Sequence, residues 1–320
     1  MLIAAAAGLV VAACATAPQS PAAEQGAPGR VLASGSASGL TPGPTSGPTS
    51  GLASGPATAQ AFPGGVYTLR TLEGPPRRAH VLELDLARVR LETTAGDASG
   101  GREYRAQTVS AYLAARGLLA AVNGGYFTPF RGGSRGGDDY YPKAGDPVDV
   151  SGAAIAFGRA VSPVETEEDE RVNAIVCIAG AVVEIRDGQT CAGAVDHAMA
   201  AGPRLLAAGA VRPLDAFGAA YAAARHPRTA IGLDAAATRA WIVVVDGRQP
   251  GFSEGMSLEE LTALFRELGA EDAINLDGGG SSTMALAGPD AVRVLNSPIH
   301  TAVPGRERPS ANHLGVRAAP

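Results

Sequence analysis

The chain has 320 residues, 31 acidic and 26 basic, for a formal net charge of −5. That balance excludes the basic stripe on which nucleic-acid binding rests. Hydrophobic residues make up 46%, ordinary for a globular protein, whereas 42 Gly and 23 Pro are a heavy load that must be concentrated somewhere.

The chain opens on MLIAAAAGLVVAACATA, apolar from Leu2 to Ala13. The run is too short to span a bilayer and fits the apolar region of a secretory signal. Val11-Ala12-Ala13-Cys14 resembles the bacterial lipobox, whose cysteine takes a lipid and becomes the mature N-terminus. Residues 1–14 are therefore expected to be a lipoprotein signal peptide with Cys14 as the lipidation site. The expected location is exported and lipid-anchored in the bacterial cell envelope, with the membrane as one partner. No Lys or Arg precedes the apolar run, and the alternative is a plain signal peptide with an incidental cysteine. Residues 15–63 are Ala, Gly, Pro, Ser and Thr with almost no large apolar side chain, and TPGPTSGPTSGLASGPA nearly repeats itself. Such a segment cannot bury enough surface to offset its ordering entropy, so it reads as a disordered tether. Residues 64–320 are left as the globular part.

HVLELDLARVRLET, residues 80–93, alternates apolar and polar at strand period. Thr108 can cap a short helix that runs through Arg116 and stops at Gly117. LLAAV, 118–122, reads as a buried strand ending at Asn123-Gly124-Gly125. Residues 131–151 form a long Gly/Asp-rich loop of the kind that is functional or mobile. VETEEDE, 164–170, reads as a solvated acidic turn. Cys177 and Cys191 flank IAGAVVEIRDGQT, a hairpin or extended loop. In an oxidising compartment they can pair; two separate buried thiols are the alternative.

The richest region is 225–284. RTAIGL (228–233) and AWIVVVD (240–246) should form an antiparallel hairpin. With Asp234 facing Arg239 across the turn, Arg228 falls beside Val245. SLEELTALFRELG, 257–269, is a punctuated helix: Ser257 and Glu260 make a capping box, five apolar residues share one face, and Gly269 ends it. AINL, 273–276, is a short buried strand. Strand, helix and strand predict a right-handed crossover and, with the hairpin, a mixed β-sheet flanked by helices. The fold class expected is α+β, a single domain with its active site at the C-terminal edge of the strands. That edge gathers Asp246-Gly247-Arg248, Ser253-Glu254, Asp277-Gly278-Gly279-Gly280, His226 and Arg228.

NLDGGGSSTM then asks why an acid at a strand tip is followed by three glycines. Successive glycine amides can form an anion-binding nest, with Ser281, Ser282 and Thr283 adding hydroxyl donors. The run is neither a P-loop, lacking Gly-Lys-Ser/Thr, nor a GxSxG elbow. A bare turn is the bland reading; Arg228 expected nearby favours an anion site beside an acid.

NGGYF (123–127), AGPRLLAAG (201–209), RHPRTAIG (225–232), VDGRQPGFSEGMSLEEL (245–261), INLDGGGSSTM (274–284) and RERPSANHLGV (306–316) stand in the order seen in the phosphodiester glycosidase family. That family is similar to the lysosomal enzyme that removes N-acetylglucosamine from phosphodiester-linked mannose. The resemblance covers about residues 120–316 and implies hydrolysis of a sugar-1-phosphodiester at the glycosidic C–O bond, on cell-envelope or extracellular glycans.

Within that chemistry Arg228 would clamp phosphate oxygens. Asp277 is the first candidate for the carboxylate that activates water or stabilises an oxocarbenium-like centre, and Glu254 the second. Gly124 and Gly278, Gly279 and Gly280 would approach the phosphate, Asn123 would bond a sugar hydroxyl or the phosphate, and His226 would carry a proton. Bland alternatives stand beside these: Glu254 as a charge at a helix N-terminus, His226 and Asn123 as structural residues, Ser281 as a cap. No cofactor is required. A hard cation such as Ca²⁺ has oxygen donors at Asp138, Asp139 or Asp277, although no His-rich metal spacing occurs. Two other functions compete: a non-catalytic lipoprotein that binds anionic polysaccharide, and a phosphodiesterase that cleaves the P–O bond.

Overall fold

A computed structural model describes residues 58–134, 136–164, 171–214 and 217–320. The signal segment with Cys14, most of the expected tether and the acidic run at 165–170 lie outside the described residues. The first described strand, Thr58–Phe62, falls inside the segment expected as tether and pairs with Gly65–Leu72 as a hairpin.

An eight-stranded sheet carries the fold. Its strands are β1 (Thr58–Phe62), β2 (Gly65–Leu72), β3 (Arg77–Asp85), β14 (Arg204–Ala207), β15 (Ala210–Val211), β16 (Arg228–Leu233), β17 (Arg239–Val245) and β18 (Asp272–Asn275). Their order is β1-β2-β3-β17-β16-β18-β14-β15. One five-stranded sheet contains β9 (Ala154–Ala156), β10 (Arg159–Ser162), β11 (Ala174–Ala179), β12 (Val182–Asp187) and β13 (His197–Ala201). Another contains β4 (Val89–Thr93), β6 (Ala120–Asn123), β19 (Met284–Ala287), β20 (Val292–Val294) and β21 (His313–Ala318). Three short strands, β5 (Tyr104–Arg105), β7 (Phe127–Thr128) and β8 (Pro147–Val150), make a small three-stranded sheet in the order β5-β8-β7. The helices are α1 (Val109–Arg116), α2 (Ala219–Ala223) and α3 (Leu258–Leu268).

Strand periodicity divides the core. Along β17, Ala240, Ile242 and Val244 enter one apolar cluster, shared with Val122, Met284, Leu314 and Val176 of the five-stranded sheets. The alternate residues Trp241, Val243 and Val245 enter a second, shared with Leu258, Leu261, Leu264 and Phe265 of α3. Period two on the strand thus meets the one-sided stripe of the helix. Gly232 of β16 is part of that fit: a Cβ there would lie 2.6 Å from the Phe265 ring. The helix ends as read. Ser257 and Glu260 form the capping box and Gly269 closes it at φ 92°, a cap worth about 1 kcal/mol.

The expected mixed sheet is corrected. Every strand pair among the described residues is antiparallel. β17 and β18 do run the same way, but β16 lies between them and pairs antiparallel with both. The α3 crossover spans that intervening strand. The C-terminal ends of β17 and β18 and the N-terminal end of β16 still share one edge. The hairpin register is the expected one, with Arg228 opposite Val245. Most of the described fold is β-sheet with few helices. The described residues from Thr58 onward form one compact unit.

Cys177 and Cys191 are joined by a disulfide that closes the β11–β12 hairpin region.

Candidate active site

At that shared edge lies a cavity of about 250 Å³. Asp277, two residues past β18, opens into it together with Gly278, Gly279 and Gly280. Four arginines also line it: Arg171, Arg228, Arg248 and Arg308. Asp277 is the one carboxylate among its lining residues. Four cations against one acid make a cavity that favours an anion.

Asp277 is fixed from both sides. Its backbone N–H donates to Gly124 O at 3.0 Å, tying it to the end of β6. Its carbonyl accepts from Asn123 Nδ2 at 2.6 Å. Asp277 Oδ1 accepts from the Gly278 N–H at 2.9 Å. Desolvation raises its pKa above the usual carboxylate range, and a hydrogen bond from Ser281 with the charge of Arg308 partly offsets this. Arg308 Nη1 in turn donates to Ser281 Oγ at 3.3 Å. Ser281 therefore links the guanidinium to the carboxylate.

The glycines serve a purpose other than the expected one. The amides of Gly278 and Gly279 are committed, the second to Pro227 O at 2.9 Å. Those of Ser281 and Ser282 bond back to Gly278 O and Gly279 O. The run closes a single 3₁₀ turn, Gly279–Ser281, and is not an open amide nest. What the missing side chains admit is arginine. A Cβ on Gly279 would lie 3.1 Å from Arg248 Nη1, and one on Gly280 only 2.2 Å from Arg308 Nη2. Bare backbone lets both guanidinium groups lie against the turn beside Asp277.

Arg248 follows β17 in a tight turn and takes φ 58°, a left-handed conformation costly for a residue with a Cβ. The turn is held by Gln249 N–H to Ser253 O at 3.1 Å and by Ser253 Oγ to Asp246 O at 2.6 Å. Asp246 is buried and accepts from Ser297 N at 2.7 Å and Asn296 Nδ2 at 3.1 Å, and it pairs with His80 Nε2 at 2.9 Å. It is a structural anchor, consistent with a turn former.

Several expected roles change. Arg228 is buried, and its Nε and Nη2 donate to the carbonyls of Met256, Tyr221 and Ala224. Its Nε and Nη2 are thus committed to backbone, which leaves Nη1 alone for the phosphate clamp expected of it; Arg248 and Arg308 lie against the glycine turn beside Asp277. Glu254 lines a separate surface depression with Pro76, Arg225 and Glu260, away from Asp277. Asn123 is fully buried, with Oδ1 accepting from Thr229 Oγ1 at 2.7 Å and Thr283 N at 3.1 Å, so it positions the Asp277 backbone and offers nothing to a sugar. Gly124 is needed for close packing, since a Cβ there would lie 2.2 Å from Asn312 Oδ1. Ser282 is buried and does not line the cavity.

His226 does line it, but burial and then Arg248 and Arg228 push its pKa down to about 4. The ring is neutral at neutral pH, with Nδ1 facing Arg248 Nη2 at 3.4 Å, and is not a proton carrier there. Asp138 pairs with Arg306 at 2.6 Å, and Asp139 accepts from Ser134 N at 3.4 Å. Among the described residues, no group of three or more His, Cys, Asp or Glu is arranged to hold a metal ion.

Sequence reasoning gave no role to Arg171, Arg308 or the cavity's aromatic residues. Arg308 stood in RERPSANHLGV, which entered only as a segment of the family resemblance; a lone Arg before Pro carried no other signal.

The sequence profile described as phosphodiester glycosidase matches residues 116–317, and the chain belongs to that family. Among curated proteins no sequence matches it. Solved structures share the fold, among them the following three. A hypothetical protein from Synechocystis has a TM-score of 0.54 at 18% identity, with 82% of this chain and 64% of that one covered. The chain thus spans less than two thirds of that protein. The zebrafish N-acetylglucosamine-1-phosphodiester alpha-N-acetylglucosaminidase catalytic domain, auto-inhibited by its pro-peptide, gives 0.54 at 19%, with 84% of each chain covered. A putative exported protein from Burkholderia pseudomallei gives 0.53 at 18%, covering 76% and 74%.

Proposed function

We propose that this phosphodiester glycosidase family member hydrolyses a sugar-1-phosphodiester at the glycosidic C–O bond, on cell-envelope or extracellular glycans. The observation that carries the reading is one desolvated carboxylate, Asp277, set among four guanidinium groups. The diester anion binds against Arg248 and Arg308 over Gly279 and Gly280. Asp277 faces the anomeric carbon. As the C1–O bond breaks, its electron pair passes to the phosphate oxygen, and the arginines stabilise the charge gained. Phosphate leaves readily, so no strong acid is needed. Water forms the new C1–O bond and yields a proton to Asp277, whose raised pKa makes it a stronger base. Free sugar and a phosphomonoester result. Water is the only co-reactant and no cofactor is required.

The test is hydrolysis of N-acetylglucosamine-1-phosphodiesters by the full chain in ¹⁸O water. Label in the sugar, absent with Asp277→Asn, supports the reading. Label in the phosphate assigns P–O cleavage, and failure on a panel of sugar diesters favours a binding protein. The envelope location rests on the Val11–Cys14 lipobox. Cys14→Ser should move the protein out of the membrane fraction; retention there would count against a lipid anchor.

A further inference from the structure

Aromatic residues make up 5% of the chain, yet five of them line this one cavity: Tyr126, Phe130, Tyr140, Tyr141 and Tyr221. Three carry a guanidinium on the ring face. Arg171 lies 4.8 Å from the Tyr126 centroid, Arg228 5.0 Å from that of Tyr221, and Arg308 3.8 Å from that of Tyr141. Those rings support cations. Phe130 and Tyr140 instead stack on each other, with centroids 4.9 Å apart and planes 25° from parallel. Phe130 keeps 38% of its surface exposed. It is held there edge-on by Phe127 at 5.9 Å and Tyr141 at 5.6 Å. An apolar ring fixed in place and left open to a charged cavity contributes little to the core.

We propose that Phe130 and Tyr140 form the wall against which the sugar ring of the substrate lies, making them the residues that select a pyranose with an apolar C–H face. The proposal rests on the phosphodiester reading of the site. A neutral sugar gains little from guanidinium groups but packs its C–H face well on an aromatic one, burying apolar area while its hydroxyls stay at the rim. Adjacency supports this. Tyr141 touches Phe130 and also carries Arg308, so the wall and a phosphate-holding cation are joined through one residue. In a sugar-1-phosphodiester the phosphate is bonded directly to the ring, which demands that neighbourhood. Size supports it too. About 250 Å³ is below the ~300–1,000 Å³ of sites that enclose a drug-sized ligand. The cavity therefore suits the reacting sugar and its phosphate, with a long aglycone left outside.

The test compares binding of methyl diesters of glucose-, N-acetylglucosamine- and mannose-1-phosphate with two sugarless diesters, dimethyl phosphate and benzyl methyl phosphate. Titration calorimetry is run on the full chain carrying Asp277→Asn, which leaves the probes uncleaved. At least one sugar diester should bind more tightly than dimethyl phosphate. Phe130→Ala and Tyr140→Ala should each weaken it by about three- to tenfold while leaving dimethyl phosphate unchanged, and Phe130→Tyr should restore the gain. Sugar diesters binding no better than dimethyl phosphate would overturn the proposal, as would a gain that survives both alanine variants. A loss confined to benzyl methyl phosphate would give the wall to the aglycone and overturn it equally. If the sugar-dependent loss appears but the unmutated chain hydrolyses none of the sugar diesters, the hydrolytic reading falls and the wall stands.

Discussion

A Cβ at position 280 would lie 2.2 Å from Nη2 of Arg308. The glycine and the arginine thus occupy one space between them, one giving up its side chain so that the other can lie beside Asp277. Gly280→Ala should displace the guanidinium and disconnect it from Ser281. The clashing atom is the tip of a flexible side chain, so the melting temperature should change little. The expected signature is a rise in KM for an anionic diester with kcat/KM down about tenfold or more, the scale of one charge-assisted contact. Unchanged kinetics in a folded variant would remove Arg308 from the site.

Asp277 and Glu254 separate cleanly. Asp277→Asn should lower kcat by about 10²–10⁴, the usual scale for a positioned base. Glu254→Gln, in a different depression, should leave kcat within about twofold. Steady-state rates on the same diester decide between them, and a large loss in the Glu254 variant would refute the assignment made from its position.

Four histidines are held below their ordinary pKa by burial: His197, His226 and His300, the last two to about 4, and His313 to about 3. The unfolded chain binds protons on these rings near pH 6.5 while the fold keeps them neutral. Their contribution is therefore complete above pH 6.5 and is lost as pH falls toward 4 and then 3. Melting temperature against pH should decline through that window, and His313→Gln should flatten the decline. An unaltered slope would mean that His313 is not kept neutral by the fold.

The Cys177–Cys191 disulfide spans 14 residues of sequence. A loop of that size gives about 3 kcal/mol in the chain-entropy account. The double Cys177→Ala, Cys191→Ala variant should lose about that much in urea titration, with kcat/KM unaltered, since neither residue lines the cavity.

Local chemistry was the legible part of the sequence. The Asp234–Arg239 turn fixed the hairpin register down to Arg228 beside Val245, and Ser257 and Gly269 marked the helix ends because caps are made by neighbours in sequence. The place of β16 between β17 and β18 was hidden, because crossover length does not tell how many strands it passes over. Asn123 was mistaken for a ligand contact since nothing local shows that Thr229, Thr283 and Asp277 use all its polar atoms. Arg171 and Arg308 reach the cavity from distant parts of the chain, so no motif holds them together.

The distribution of rings gives the protein two separate optical signals. Its single tryptophan, Trp241, is buried under α3 within the apolar core. Four of its seven tyrosines line the cavity, three of them beneath a guanidinium. Tryptophan emission will therefore follow unfolding, while tyrosine absorbance will follow occupancy of the cavity that four tyrosines line. Below the unfolding transition, where Tyr67, Tyr104 and Tyr112 stay buried, ligand titration can be read on the same unlabelled sample that then reports stability.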